Sequence, residues 1–174
     1  MKKFAIFLLV TLLILGGAVP ASAGERVEWF DVTTDDTWDQ VDCSAYGFDY
    51  IVKNHAVIRE HGYAWLDAAG NPYKAITSIS GTNTLYNKDD PSIAASGDFN
   101  FRVHSEPVGP DSPYWTWKFT GVQWNVQVSG YGAVLHQSGQ MVLLVDGWNP
   151  IGFVKEPGGL VRFDYQALCA ALAE

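Results

Sequence analysis

Tyr114-Trp-Thr-Trp-Lys-Phe-Thr-Gly-Val-Gln-Trp-Asn-Val-Gln-Val128 is the stretch whose reading decides the fold. Its large apolar residues are Trp115, Trp117 and Phe119, then Val122, Trp124, Val126 and Val128. Thr116, Lys118, Gln123, Asn125 and Gln127 stand between them. This is the period-two alternation of a strand with one wet and one dry face. The apolar set switches from odd to even numbers at Thr120-Gly121. A two-residue turn there produces such a switch and predicts a hairpin. Phe119 then faces Val122, Trp117 faces Trp124 and Trp115 faces Val126, with every apolar residue on one face.

Outward from this stretch the chain reads as short strands and tight turns. Val27 to Val32 is a first strand, followed by Asp31, Asp35, Asp36, Asp39 and Asp42. Carboxylates invite a calcium reading, but the Asp-x-Asp-x-Asp-Gly spacing is missing, so this stretch reads as a solvated acidic loop. Phe48–Val52 and Ala56–Leu66 are the next strands, with Gly62 marking a bulge or a close backbone approach. Asp67–Pro72 is a turn, and Tyr73–Ile79 returns. Gly81–Pro91 reads as a strand end and an exposed loop. Phe99, Phe101 and Val103 alternate with Asn100, Arg102 and His104. Ala133–His136, a turn at Gln137-Ser138-Gly139, and the apolar run Met141–Val145 follow, the last reading as covered on both faces. Ile151–Val154 and Leu160–Phe163 close the strand series.

The one helix begins at Asp164, a natural N-cap. Tyr165, Leu168, Cys169 and Leu172 form its apolar stripe, which is expected to cover the far face of Met141–Val145. About nine short strands with one terminal helix give an all-β class: an antiparallel β-barrel, with a β-sandwich as the alternative. In shape the expected barrel is similar to lipocalin-like or allene-oxide-cyclase-like barrels.

The chain opens with Lys2 and Lys3, an apolar run from Phe4 to Leu15, and Ala21-Ser22-Ala23. These are the parts of a secretory signal peptide over residues 1–23. Residues 24–174 then form a single β-barrel domain, secreted or extracytoplasmic and not membrane-embedded after cleavage. The formal net charge of the whole chain is −8. Removing Lys2 and Lys3 leaves 9 basic against 19 acidic residues, or −10. That excludes nucleic acid and anionic membrane surfaces as expected partners. In an oxidising compartment the two cysteines, Cys43 and Cys169, predict one disulfide. A pair of metal-ligating thiolates is the alternative, without the spacing of a zinc site.

The Ala-Ser-Ala signal end, Cys43, Gly81-Thr-Asn-Thr84 and Leu168-Cys-Ala-Ala-Leu172 together resemble a loose group of small exported bacterial all-β proteins without an assigned activity. The resemblance implies export, a Cys43–Cys169 bridge and a barrel-like fold. It implies no catalytic residue.

Chemistry-bearing motifs are sparse. There is no Gly-x-Ser-x-Gly elbow, His-Glu-x-x-His pair or phosphate loop. No cofactor or metal is expected. His55 and His61 share a strand face but stand about 20 Å apart, too far to ligate one metal. Asp35-Asp36 and Asp89-Asp90 are neighbours that point apart, unsuited to acid/base work. The aromatic load is the stronger signal. Trp115, Trp117 and Trp124 fill the core or wall an apolar cavity, since barrels of about eight strands hold one small ligand. The leading expectation is a binding protein for a small apolar or amphipathic ligand at that wall, with Arg59, His61 and Tyr63 as polar contacts. The alternative is a dry-core protein acting through its surface, where aromatics including Tyr114 and Trp148 bind polysaccharide or another protein. An enzyme ranks last.

Overall fold

A computed structural model describes residues 26–109, 112–147 and 149–173. The expected signal segment and Trp148 lie outside the described residues. The strands are β1 (Arg26–Asp42), β2 (Ile51–Leu66), β3 (Pro72–Asn87), β4 (Ala94–Pro107), β5 (Tyr114–Val128), β6 (Gly132–Asp146), β7 (Asn149–Gly158) and β8 (Val161–Phe163). A 3-10 turn (Cys43–Tyr46) follows β1, and helix α1 (Tyr165–Ala171) follows β8. All pairings are antiparallel, in the order β1-β2-β3-β4-β5-β6-β7, with β8 pairing on β6. The class is all-β with a short C-terminal helix, as the sequence predicts. The outer strands β1 and β7 are not paired with each other, so the sheet is not closed.

The strands are longer and fewer than expected. Tyr114–Val128 is a single strand, not a hairpin. Thr120 and Gly121 pair with Gln140 and Gly139 inside the ladder. The partners of Trp117 are Ser105 and Leu143, not Trp124. The odd-to-even switch is a β-bulge: Val122 pairs with Ser138 and Trp124 with Gln137, so β5 carries one extra residue. A bulge and a two-residue turn flip alternation identically. Gly121 has φ +127, and a Cβ on it would crowd the Asn100 carbonyl and Phe101. The second expected turn, Gln137-Ser138-Gly139, is likewise mid-strand, with Gly139 at φ +108.

Three more boundaries move. The acidic stretch from Asp31 to Asp42 is strand β1, not a loop. Phe48–Val52 and Ala56–Leu66 are not two strands: β2 runs unbroken from Ile51. β3 continues through Gly81, the expected strand end, to Asn87. Gly62 is the close approach rather than the bulge, since a Cβ there would run into the Ile76 carbonyl.

One sheet face is the core. Cys43, Val52, Leu85, Ala95, Val126, Val134, Leu135, Leu168, Cys169 and Leu172 form one buried cluster. Ile79, Phe99, Val103 and Phe119 form a second, bordered by Ile58, Phe101, Trp117, Met141 and Leu143. Helix α1 belongs to the first cluster, against Val134 and Leu135. It does not cover Met141–Val145, because Met141 and Leu143 border the other cluster. The Asp164 carboxylate accepts from Ala167 N at 3.0 Å, the expected cap. The Cys43–Cys169 disulfide is present and pins the helix to the 3-10 turn, with Cα atoms 5.7 Å apart. Tyr50 Oη donates to the Cys169 carbonyl, and Asn87 Nδ2 to the Leu172 carbonyl at 3.1 Å.

Glu60 lies on the core face between Val32 and Ile79 and is 5 % exposed. Burial disfavours its charged form and pushes its pKa up to about 7.

Candidate functional site: a trough on the outer face of the sheet

Because side chains alternate along each strand, the residues opposite the core form an outer face. Cross-strand register there builds two adjacent rows. The first is Asp31, His61, Ser78, Arg102, Thr120 and Gln140, from β1 to β6. The second is Trp29, Tyr63, Ile76, His104, Lys118 and Val142. Two grooves lie over these rows. One, of about 340 Å³, includes Trp29, His61, Tyr63, Ile76, Ser78 and Arg102. The other, of about 460 Å³, includes Ser78, Asn100, Arg102, His104, Lys118 and Thr120. Ser78 and Arg102 line both, so the two grooves adjoin along one trough-like band of the outer face. From β1 to β6 it crosses about 24 Å, five interstrand spacings.

The β1 end is aromatic. Trp29, 54 % exposed, meets Tyr63 edge-on with ring centroids 4.9 Å apart, and the His61 ring lies 5.8 Å from Trp29. His61 Nδ1 is buried without a hydrogen-bond partner. The β4–β5 end is cationic. His104 stands directly opposite Lys118, with Arg102 two residues along the same face. Burial, then Lys118 and Arg102, hold His104 below the ordinary histidine range. Among the described residues no carboxylate lines either groove.

The six residues expected to bind a ligand fall into two groups. Arg59, His61 and Tyr63 lie on the outer face. Tyr63 and His61 line the trough, whereas Arg59 is held by Asp31 through two hydrogen bonds of 3.0 and 2.7 Å. Trp117 packs on the second core cluster and Trp124 on the first. Trp115 shares the face of Trp117 and pairs with Val145. The three tryptophans therefore do not face Arg59, His61 and Tyr63. Tyr114 is exposed at the start of β5.

The remaining histidines have local roles. His55 Nε2 is 2.6 Å from Asp35, and His136 contacts Asn125 and Ser138. Among the described residues no three His, Cys, Asp or Glu gather as a metal site. No described helix is long and apolar enough to cross a membrane.

Sequence reading misses Trp29, Ser78, Arg102, His104 and Lys118 as site residues. The polar parity of Arg102, His104 and Lys118 is visible in the sequence. The register that brings them together is not, because a hairpin at Thr120-Gly121 places Lys118 opposite Gln123 instead of His104. Comparison with protein-family models, curated proteins and solved structures finds no match to the chain.

Proposed function

We propose that the protein is an extracytoplasmic binding module that holds a polysaccharide chain along the outer-face trough. The observation that carries this reading is the adjoining of the two grooves at Ser78 and Arg102. The trough is open, longer than one sugar ring, walled at one end by Trp29 and Tyr63, and floored by hydrogen-bonding side chains. An amphipathic ring such as tryptophan supplies apolar contact area beside polar groups. Ser78, Asn100, Thr120 and Gln140 supply donors and acceptors for hydroxyl groups.

Binding is favoured over hydrolysis, since a glycosidase needs two carboxyl groups flanking its bond and among the described residues none lines the trough. Export rests on the signal segment over residues 1–23, and a disulfide fits an oxidising compartment. In this reading the curled sheet is a barrel-like frame plugged at one end by α1, and its outer wall is the working surface.

The test is affinity electrophoresis of the mature chain against a panel of cell-wall and plant polysaccharides. Trp29→Ala is expected to abolish retardation, and Trp115→Ala, on the opposite face, to leave it intact. The reverse pattern moves the site to the core face and favours a small apolar ligand at the tryptophan wall. Lack of retardation on any polymer overturns the polysaccharide reading.

A further inference from the structure

Resting on that reading, we infer that Arg102, His104 and Lys118 form an anion subsite within the trough, and that its ligand is an acidic polysaccharide. The argument starts from where cations have partners. Lys53 is paired with Asp39, Arg59 with Asp31 at 2.7 Å, and Arg162 with Asp164 at 3.0 Å. Lys155 donates to Gln140 at 2.6 Å, and Lys74 lies over the Trp65 ring at 4.9 Å. Among the described residues, Arg102 and Lys118 have no acidic partner within ion-pair distance. Lys88, exposed beyond the end of β3, likewise has none; Arg102 and Lys118 are the two brought together over one groove, beside His104.

Arg102 and Lys118 are diagonal neighbours across the β4–β5 ladder, and like charges held this close repel each other. The arrangement is self-consistent once an anion completes it. Arg102 supplies a planar fork suited to a carboxylate or sulfate, and Lys118 a point charge. His104 adds a ring N–H donor. The charged groups around His104 are Arg102 and Glu106 on β4, Lys118 on β5 and Lys74 on β3. Of these, only Glu106 opposes an anion, and it does not line the groove.

The density of the patch selects among polyanions. Duplex DNA carries a charge every ~1.7 Å. Over the ~24 Å of this trough such a polymer would present far more charges than two cations and a histidine neutralise, to a chain of net charge −8. A polysaccharide with one acid per ring or less offers sparse charge and an apolar ring face for Trp29 and Tyr63.

The experiment measures binding to polymers matched except in charge: polygalacturonate with its methyl ester, and dextran sulfate with dextran, at 50 and 300 mM salt. The single-stranded oligonucleotide dT20 is included. At least one acidic polymer is expected to bind ten-fold or more tightly than its neutral counterpart. That preference falls at 300 mM salt and disappears in the double variant Arg102→Gln/Lys118→Gln. Both positions are accessible to solvent, and the melting curve of the variant establishes its fold. Lys118→Glu alone is expected to reverse the preference. Equal binding of the acidic and neutral members overturns the anion subsite and leaves the polysaccharide reading standing. No binding to any polysaccharide overturns both. Tighter binding of dT20 than of the acidic polymers overturns the ligand class.

Discussion

The two halves of this sheet are buried by different means. Around α1 the cluster members are sealed: Val52, Leu85, Val126, Val134, Leu135, Leu168 and the two cysteines are 0 % exposed. In the other half Ile79, Phe99, Val103 and Phe119 retain 3 to 8 % exposure, with Glu60 buried beside them. The boundary passes through the β5 bulge at Val122–Trp124 and the mid-strand glycines Gly121 and Gly139. A covalent link and a helix close the first half. The second half depends on the aromatic series Phe99, Phe101, Phe119 and Trp117, whose neighbouring ring centroids are 5.9–6.5 Å apart. The lesson is that uninterrupted strands do not make a uniform core.

The strongest way to break this comparison is to remove the disulfide. Its closed loop spans 126 residues, for which chain entropy gives about 5 kcal/mol. Cys43→Ser/Cys169→Ser is expected to lower stability by roughly 3–5 kcal/mol in chemical denaturation. Hydrogen exchange should then quicken in α1 and the first half of β6 before it does in Ile79 or Phe119. Simultaneous loss of protection in both regions would show that the halves form one cooperative unit.

Glu60 tests the other half, with opposite sign. Its pKa is raised on folding, so its favourable contribution is complete below the ordinary value of 4.5 and is lost as pH rises to about 7. Glu60→Gln removes the cost of a buried charge. It is expected to stabilise the protein by roughly 2–3 kcal/mol at pH 8 and to change little at pH 4. Thermal melts at the two pH values make the comparison. An equal effect at both would place the Glu60 carboxyl in water.

The boundary itself is sharpened by Gly121→Ala. A left-handed backbone at a non-glycine residue costs roughly 1–3 kcal/mol, and crowding against the Asn100 carbonyl adds to it. The expected readout is a lowered denaturant midpoint with altered backbone chemical shifts across β4, β5 and β6. A neutral substitution would mean that the bend does not depend on glycine.

This boundary is also where the sequence misleads. Alternation on either side of Thr120-Gly121 was legible, and so was the face to which Trp117, Phe119 and Trp124 belong. What lies between was not, because one inserted residue and one tight turn leave the same parity signature. The choice between them depends on pairing with Ser138 and Gly139, residues that are distant in sequence. The Asp164 cap, the Leu168–Leu172 stripe and the Cys43–Cys169 bridge were legible because each follows from local chemistry or from a single possible pairing. The trough was the least legible part. Its residues come from six strands, and a one-residue error in a register moves Lys118 or Ser78 to another row.

The place of α1 in the first core sets an order of events. A polypeptide is made from its N-terminus, and in this meander each strand from β2 to β7 pairs with the one before it, so hairpins can form as the chain emerges. The residues that close the first core follow every strand. Until Leu168, Cys169 and Leu172 arrive, Val52, Leu85 and Val134 have no cover, and the hydrogen bonds offered by Tyr50 and Asn87 have no carbonyl to meet. A nascent chain stopped before α1 would therefore hold a nearly complete sheet with a wet, sticky end, a form suited to chaperone capture or proteolysis. Oxidation of the Cys43–Cys169 pair in this sense records that α1 has reached its place over the first core.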